Sequence, residues 1–225
     1  MTLEVSSAVQ DYAKAIYSLE QRCDGGVVST NALAERMGVS AASASSMVKK
    51  LNGLGLVEHL PYRGVELTDR GLKVALEVLR HHRLLERFLA EELGVPWDRV
   101  HDEAEVLEHV LSEELEELIA AKLGHPTIDP HGDPIPTKDL EIVEGATVAM
   151  DELDTGDSGR LVRVSDSDPE MLRYLGARGI APGDTFTVID KQPFGGPVFA
   201  QFGADPDIHP LGGRLAASMR VEVGR

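Results

Sequence analysis

The stretch His101 to His109, HDEAEVLEH, is the most informative part of the sequence. In a helix, Glu105, Glu108 and His109 stand at i, i+3 and i+4, so two carboxylates and an imidazole share one face within reach of a single ion. His101 lies one turn earlier on a neighbouring part of that face. Upstream, His82 and Glu86 repeat the i, i+4 spacing inside HHRLLERF. Two adjacent helical segments carrying His and Glu in this way describe a site for a hard or borderline divalent cation. A redox role for such ions needs paired Glu-x-x-His elements on four core helices. Here the residue three before His109 is Val106, and the protease pattern His-Glu-x-x-His is absent. The ion is therefore expected to be sensed, not used in catalysis.

The elements that must position these residues fall into three sections: 1–75, 76–145 and 146–225. The first reads as three helices and a hairpin. A helix from Ser7 to Cys23 carries Val9, Tyr12, Ala13, Ile16, Tyr17 and Leu19 on its apolar positions, and Asp24-Gly25-Gly26 ends it. Ser29 or Thr30 then caps a short helix to Met37, Gly38 makes the turn, and Ser40 caps a second helix to about Leu54. Leu56–Leu60 and Val65–Thr68 alternate as strands around Pro61-Tyr62-Arg63-Gly64. That order is a winged helix-turn-helix. Its second helix would enter a major groove with Ser40, Ala42, Ser43 and Ser46 near base edges, and Lys49 and Lys50 on phosphates. Thr30 joins them from the first helix of the pair, and Arg63 from the tip of the wing. None is a bidentate base reader, so these residues do not specify an operator sequence.

The second section is nearly all helical: Leu72–Leu93, a break at Gly94-Val95-Pro96-Trp97, and one further helix over HDEAEVLEHVLSEELEELIAAKLG. Apolar Val106, Leu107, Val110, Leu111, Leu115, Leu118 and Ile119 occupy more than one stripe, the mark of a dimer interface. A symmetric dimer would set two recognition helices roughly 34 Å apart. The acidic run Ser112–Glu117 reads as a solvated helix face. After the Pro-rich DPHGDPIP, the last section shows β-like runs at Arg160–Val164, Thr185–Asp190, Val198–Phe202 and Met219–Val223, with a helix at Pro169–Arg178. Short strands and Gly-rich turns indicate a small β-barrel. The fold class is thus mainly α with small β.

Charge separates the sections. The net charge is −16, yet residues 1–75 hold 8 basic and 8 acidic side chains, 76–125 hold 5 and 13, and 126–225 hold 9 and 17. Only the first section is not repelled by phosphate, and cation binding elsewhere would reduce the rest. The lone Cys23 excludes an internal disulfide framework and fits a reducing cytoplasm; no apolar run approaches a membrane span and no signal peptide is recognised.

On these residues the chain resembles the DtxR/MntR metal-dependent transcriptional repressors, in the longer form with a C-terminal SH3-like (FeoA-type) domain. The resemblance rests on Asp11–Glu20, HHRLLERFL, VHDEAEVLEH and DPHGDPIP, and is looser over the last third. It implies a homodimer that binds operator DNA when loaded with metal and represses metal-uptake genes. It also implies a primary site at Asp11, Glu105, Glu108 and His109. Iron-sensing members are similar but carry Met and Cys at the positions of Asp11 and Glu105. Oxygen donors at both favour Mn²⁺, with Fe²⁺, Co²⁺ or Zn²⁺ able to substitute. The short manganese repressors have a carboxylate where this chain has Lys14, so their paired-metal cluster is not matched. An ancillary site is implied at Glu86, Asp129, His131 and Asp168, with His82 and His101 beside it and Glu170 competing with Asp168. The alternatives are an iron- or zinc-responsive repressor of the same family, or a winged-helix regulator of a small molecule. The latter leaves the His and Glu clusters without a purpose. No organic ligand and no membrane partner are expected.

Overall fold

The computed structural model describes residues 5–21, 26–60 and 63–224. Cys23, the turn residues Asp24-Gly25 and the wing residues Pro61-Tyr62 lie outside them. The chain divides into two units. The first comprises Met1–His82, Glu108–Leu111 and Pro136–Glu141; the second comprises Arg83–Leu107, Ser112–Ile135 and Ile142–Arg225.

In the first unit, α1 (Ser7–Glu20) buries Val9, Tyr12, Ala13, Ala15 and Ile16, the stripe its sequence prescribes. Helices α2 (Thr30–Arg36) and α3 (Ala41–Gly53) form the helix pair, each begun by a serine cap. Ser29 Oγ accepts from the Ala32 amide at 3.1 Å, and Ser40 Oγ accepts from the Ser43 amide at 3.1 Å. Between them Gly38 has φ +63°, a conformation open to glycine at little cost. Strands β1 (Val57–Leu60) and β2 (Gly64–Leu67) pair antiparallel with Val57 opposite Leu67, and Val28 bridges Val65. One core joins Ile16, Leu33, Val48, Leu51, Leu56, Val65 and Ala75. The last of these lies on α4 (Asp69–Leu93), whose residues from Arg83 onward belong to the second unit.

The helix expected over 101–124 is two helices. α5 spans Val100–Leu107, residues 108–110 form a turn, and α6 spans Glu113–Lys122. The break has a local cause. Ser112 Oγ accepts from the Leu115 amide at 3.3 Å, and Glu113, Glu114 and Glu116 fill the first turn. A capping hydroxyl and acidic residues at a helix start both favour a new N-terminus there. Glu108 and His109 therefore sit on a turn.

The rest of the second unit is a six-stranded antiparallel sheet in the order β3-β8-β4-β5-β6-β7. Its strands are β3 (Val148–Ala149), β4 (Ser158–Val164), β5 (Thr185–Lys191), β6 (Val198–Phe202), β7 (His209–Leu211) and β8 (Met219–Val223). Helix α7 (Pro169–Gly176), helix α8 (Gly213–Ser218) and a 3₁₀ turn at Met150–Glu152 accompany it. The small barrel expected here is an open sheet, with β3 and β7 as its edges. Met150, Leu161, Leu172, Leu175, Leu211 and Met219 form its core, and Trp97 packs against that core.

Candidate metal centres

The first centre lies in the first unit. The turn after α5 presents Glu108 and His109, and α1 presents Gln10, Asp11 and Lys14. His109 Nε2 is 2.8 Å from Asp11 Oδ1 and 3.5 Å from Glu108 Oε1. Its Nδ1 lies 2.8 Å from Gln10 Oε1. An amide oxygen only accepts, so Nδ1 carries the hydrogen that meets Gln10, and Nε2 is the ring atom that faces the two carboxylates. Asp11, Glu108 and His109 bring one ligand atom each within 4.8 Å of one another. The Glu108 side chain is fully buried and held from two sides, and its backbone carbonyl from a third. Lys14 Nζ donates to Oε1 at 2.6 Å, His82 Nδ1 lies 2.5 Å from Oε2, and His81 Nδ1 lies 3.1 Å from the backbone carbonyl. A buried carboxylate tolerates this environment because each oxygen has a partner.

The second centre lies in the second unit. Glu86, from α4, is 1% exposed and reaches two histidines: Oε1 is 3.4 Å from His101 Nδ1, and Oε2 is 3.8 Å from His131 Nδ1. Asp166, in the turn after β4, places Oδ2 3.0 Å from His101 Nδ1. Asp129 closes the group; it, Glu86 and His131 bring ligand atoms within 4.8 Å of each other, all buried. Its Oδ1 accepts the amides of His131 and Asp133 at 2.8 and 2.9 Å, and its Oδ2 is 3.8 Å from Arg83 Nε.

This loop is shaped for one backbone path. Gly132 has φ +89°, and a Cβ there would fall 2.0 Å from the Val162 carbonyl oxygen. Only glycine fits between His131 and Asp133.

The fit to a cation is clearest at His131. Its Nε2 donates to the Trp97 carbonyl at 2.7 Å, and its ring stacks on the Trp97 indole at 6.0 Å between centroids. With Nε2 committed, Nδ1 is the atom left to meet a cation, and it is buried without a hydrogen-bond partner. Protonation follows the surrounding carboxylates. Asp166 and then Glu86 lift His101 to about 10, against desolvation. Burial opposes the charged form of His131, but Glu86 and then Asp129 raise it to about 9. Burial, then Asp133 and Glu86, push Asp129 well above the usual carboxylate range, against Arg83 and His131. Burial would raise Asp166 too, but His101 outweighs it and brings it down to about 2.

The structure brings Asp11, Glu108 and His109 together; it also groups Glu86 with Asp129 and His131, and places His101 and Asp166 beside the same Glu86. Glu105, on α5, lies 3.7 Å from His101 Nε2. His82 engages Glu108. Asp168 is not at the second centre. Its carboxylate caps α7, accepting the Glu170 amide at 3.0 Å, and sits 3.4 Å from Arg214. Glu170 is exposed, 4.0 Å from Arg173. Asp166 holds the place assigned to Asp168. A signal for this was in the sequence: Pro169 follows Asp168, and proline favours the first helical position, which makes the preceding Asp a cap. Gln10 and the Trp97 carbonyl, which orient the two histidines, left no sequence signal.

The helix-turn-helix presents an exposed face on α3. Ala41, Ala42, Ser43, Ser45, Ser46, Lys49 and Lys50 face outward, while Ala44, Val48 and Leu51 are buried behind them. Ser40 and Ser43 hydroxyls are 2.9 Å apart, Thr30 is half-buried at the start of α2, and Arg63 is exposed.

Comparison with known proteins agrees with this architecture. The N-terminal DNA-binding domain of iron-dependent repressors matches residues 4–65, their metal-binding and dimerisation domain matches 68–137, and the FeoA domain matches 139–223. The chain is 33% identical over 207 residues to the iron-dependent repressor IdeR of Mycobacterium tuberculosis, covering 86% of this chain and 88% of that protein. It is 35% identical over 168 residues to the diphtheria toxin repressor of Corynebacterium diphtheriae, covering 73% and 68%. A solved manganese-dependent transcriptional repressor in complex with manganese superposes with a TM-score of 0.87 at 43% identity, covering 95% of this chain and 98% of that one. The chain belongs to the DtxR/MntR family of metal-dependent transcriptional repressors, DNA-binding proteins and not enzymes. Within that family it has the form that carries a FeoA domain. No helix among the described residues is long and apolar enough to cross a membrane.

Proposed function

We propose that this protein is a manganese-activated, homodimeric repressor that binds operator DNA upstream of metal-uptake genes in the cytoplasm. The observation that carries the metal is the donor set of the first centre: carboxylate oxygens of Asp11 and Glu108 with one imidazole nitrogen of His109. Hard oxygen donors suit Mn²⁺, while sulfur donors favour softer or later metals. We assign Glu105 to the same centre from the family pattern, and Glu86, His101, Asp129, His131 and Asp166 to a second, ancillary centre. The similarity to a manganese repressor solved with manganese supports this reading.

A bound divalent ion supplies positive charge that several carboxylates can share. The protein's part is positional. Asp11 belongs to α1, whose buried face packs in the core of the DNA-binding domain. Tying Asp11 to Glu108 and His109 fixes α1 to the 108–110 turn and restrains the helix-turn-helix it supports. Metal and DNA then favour one state reciprocally. Exposed Val106, Leu107, Leu115 and Leu118 supply apolar area for a partner subunit.

The names of the iron-dependent relatives support an iron-responsive alternative. Operator binding against free Mn²⁺, Fe²⁺, Co²⁺ and Zn²⁺ separates the two. Activation by Mn²⁺ at the lowest fraction of metal bound supports the manganese reading, and a stronger response to Fe²⁺ overturns it.

A further inference from the structure

Lys14 is the one feature of the first centre that a cation site would not be expected to contain. Its ammonium donates to Glu108 Oε1 at 2.6 Å, the oxygen that also lies 3.5 Å from His109 Nε2. The other oxygen of Glu108 already faces His82 Nδ1 at 2.5 Å. The Glu108 side chain has no exposure and that of Lys14 has 14%. In metal-free protein the ammonium thus offsets a carboxylate that would otherwise be buried as a charge with only the imidazoles of His82 and His109 beside it.

We propose that Lys14 is a built-in counter-ion of this centre, which holds Glu108 Oε1 until a divalent cation displaces it and so sets the metal concentration at which the centre fills. The inference rests on the reading of Asp11, Glu108 and His109 as metal ligands. Two cations cannot share Oε1 cheaply. With a metal–oxygen distance of about 2.1 Å and the observed 2.6 Å to Nζ, they would stand roughly 5 Å apart or less, where partial burial leaves their repulsion strong. The lysine stem is long and flexible, and its partial exposure gives the ammonium a way to withdraw. Glu108 is thereby kept ready in place and neutralised while empty, and small divalent concentrations do not fill the site.

The test compares the full-length protein with Lys14→Met, which keeps the stem and removes the charge, and with Lys14→Arg, which keeps the charge. Lys14→Gln serves if the methionine variant does not fold. Free Mn²⁺ is counted by electron paramagnetic resonance during titration. The emission of Trp97, the single tryptophan, reports the second centre through its stack on His131. The remaining bound Mn²⁺ reports the first. The expected result is at least tenfold tighter Mn²⁺ binding at the first centre in Lys14→Met, with a lower melting temperature in chelator. Lys14→Arg should stay near wild type. Unchanged or weaker Mn²⁺ binding in Lys14→Met, while Glu108→Gln still abolishes this class of ion, would overturn the counter-ion and leave the centre standing. If Glu108→Gln also binds Mn²⁺ as wild type does, the ligand assignment falls and the inference with it.

Discussion

The two aspartates Asp166 and Asp168, two residues apart, should separate metal affinity from stability. Asp166 places its carboxylate 3.0 Å from His101 Nδ1 in the second centre, and Asp168 uses its own to accept the Glu170 amide at the start of α7. Asp166→Asn keeps the shape and removes a charged oxygen. Loss of even an outer partner of a metal ligand costs about 10–100-fold in affinity, so Mn²⁺ binding at this centre should weaken by at least that factor. Asp168→Ala instead deletes a helix cap, a loss of about 1 kcal/mol. For a chain of this size, that lowers the melting temperature by roughly 2–4 °C. The assay pairs Mn²⁺ titration by Trp97 fluorescence with thermal unfolding in chelator, on both variants. An affinity loss in Asp168→Ala equal to that in Asp166→Asn would refute the placement of the two carboxylates.

Three further outcomes follow from the same geometry. His101 and His131 keep their protons to about 10 and 9 in metal-free protein, so an ion that takes their nitrogens must displace protons. Affinity at the second centre should therefore rise from pH 6 to 9, with proton release seen by calorimetry in buffers of different ionisation enthalpy; a flat profile would contradict it. Replacing Lys49 or Lys50, exposed on α3, with Ala should weaken binding to all duplexes alike and reduce the salt slope by about 1 each, as measured by anisotropy at several salt concentrations. Gly132→Ala sets a Cβ 2.0 Å from the Val162 carbonyl oxygen at φ +89°. It should cost more than about 2 kcal/mol and loosen the second centre, measured by denaturant unfolding and Mn²⁺ titration.

Much of the architecture was legible because its causes are local. The buried stripe of α1, the serine caps of α2 and α3 and the alternating wing strands are written in periodicity and turn chemistry, and the observed bounds differ by a few residues. The continuous helix over 101–124 misled because Glu and Leu keep helical period straight through Ser112, while the cap and the acidic first turn restart the helix there. Short β7, β3 and α8 have too few residues for any period to show. At the candidate centres, spacing drew attention to Glu108, His109, His82 and Glu86. It did not show that His82 faces Glu108, since that depends on how α4 meets a distant turn. Asp166 and the Trp97 carbonyl arrive by tertiary contact from the 97–99 and 165–168 loops, where no periodic pattern exists.

The central claim is that an ion held by Asp11, Glu108 and His109 switches on DNA binding. It is tested most directly by anisotropy of a duplex selected by this protein from a random pool in Mn²⁺. Wild type and Asp11→Ala are each titrated with and without chelator. Asp11 lies on α1, 2.8 Å from His109 Nε2, and is not part of the exposed face of α3. The account expects tight, chelator-reversible binding by wild type, and only weak, metal-insensitive binding by Asp11→Ala even at saturating Mn²⁺. Equal, Mn²⁺-dependent binding by both proteins would contradict it.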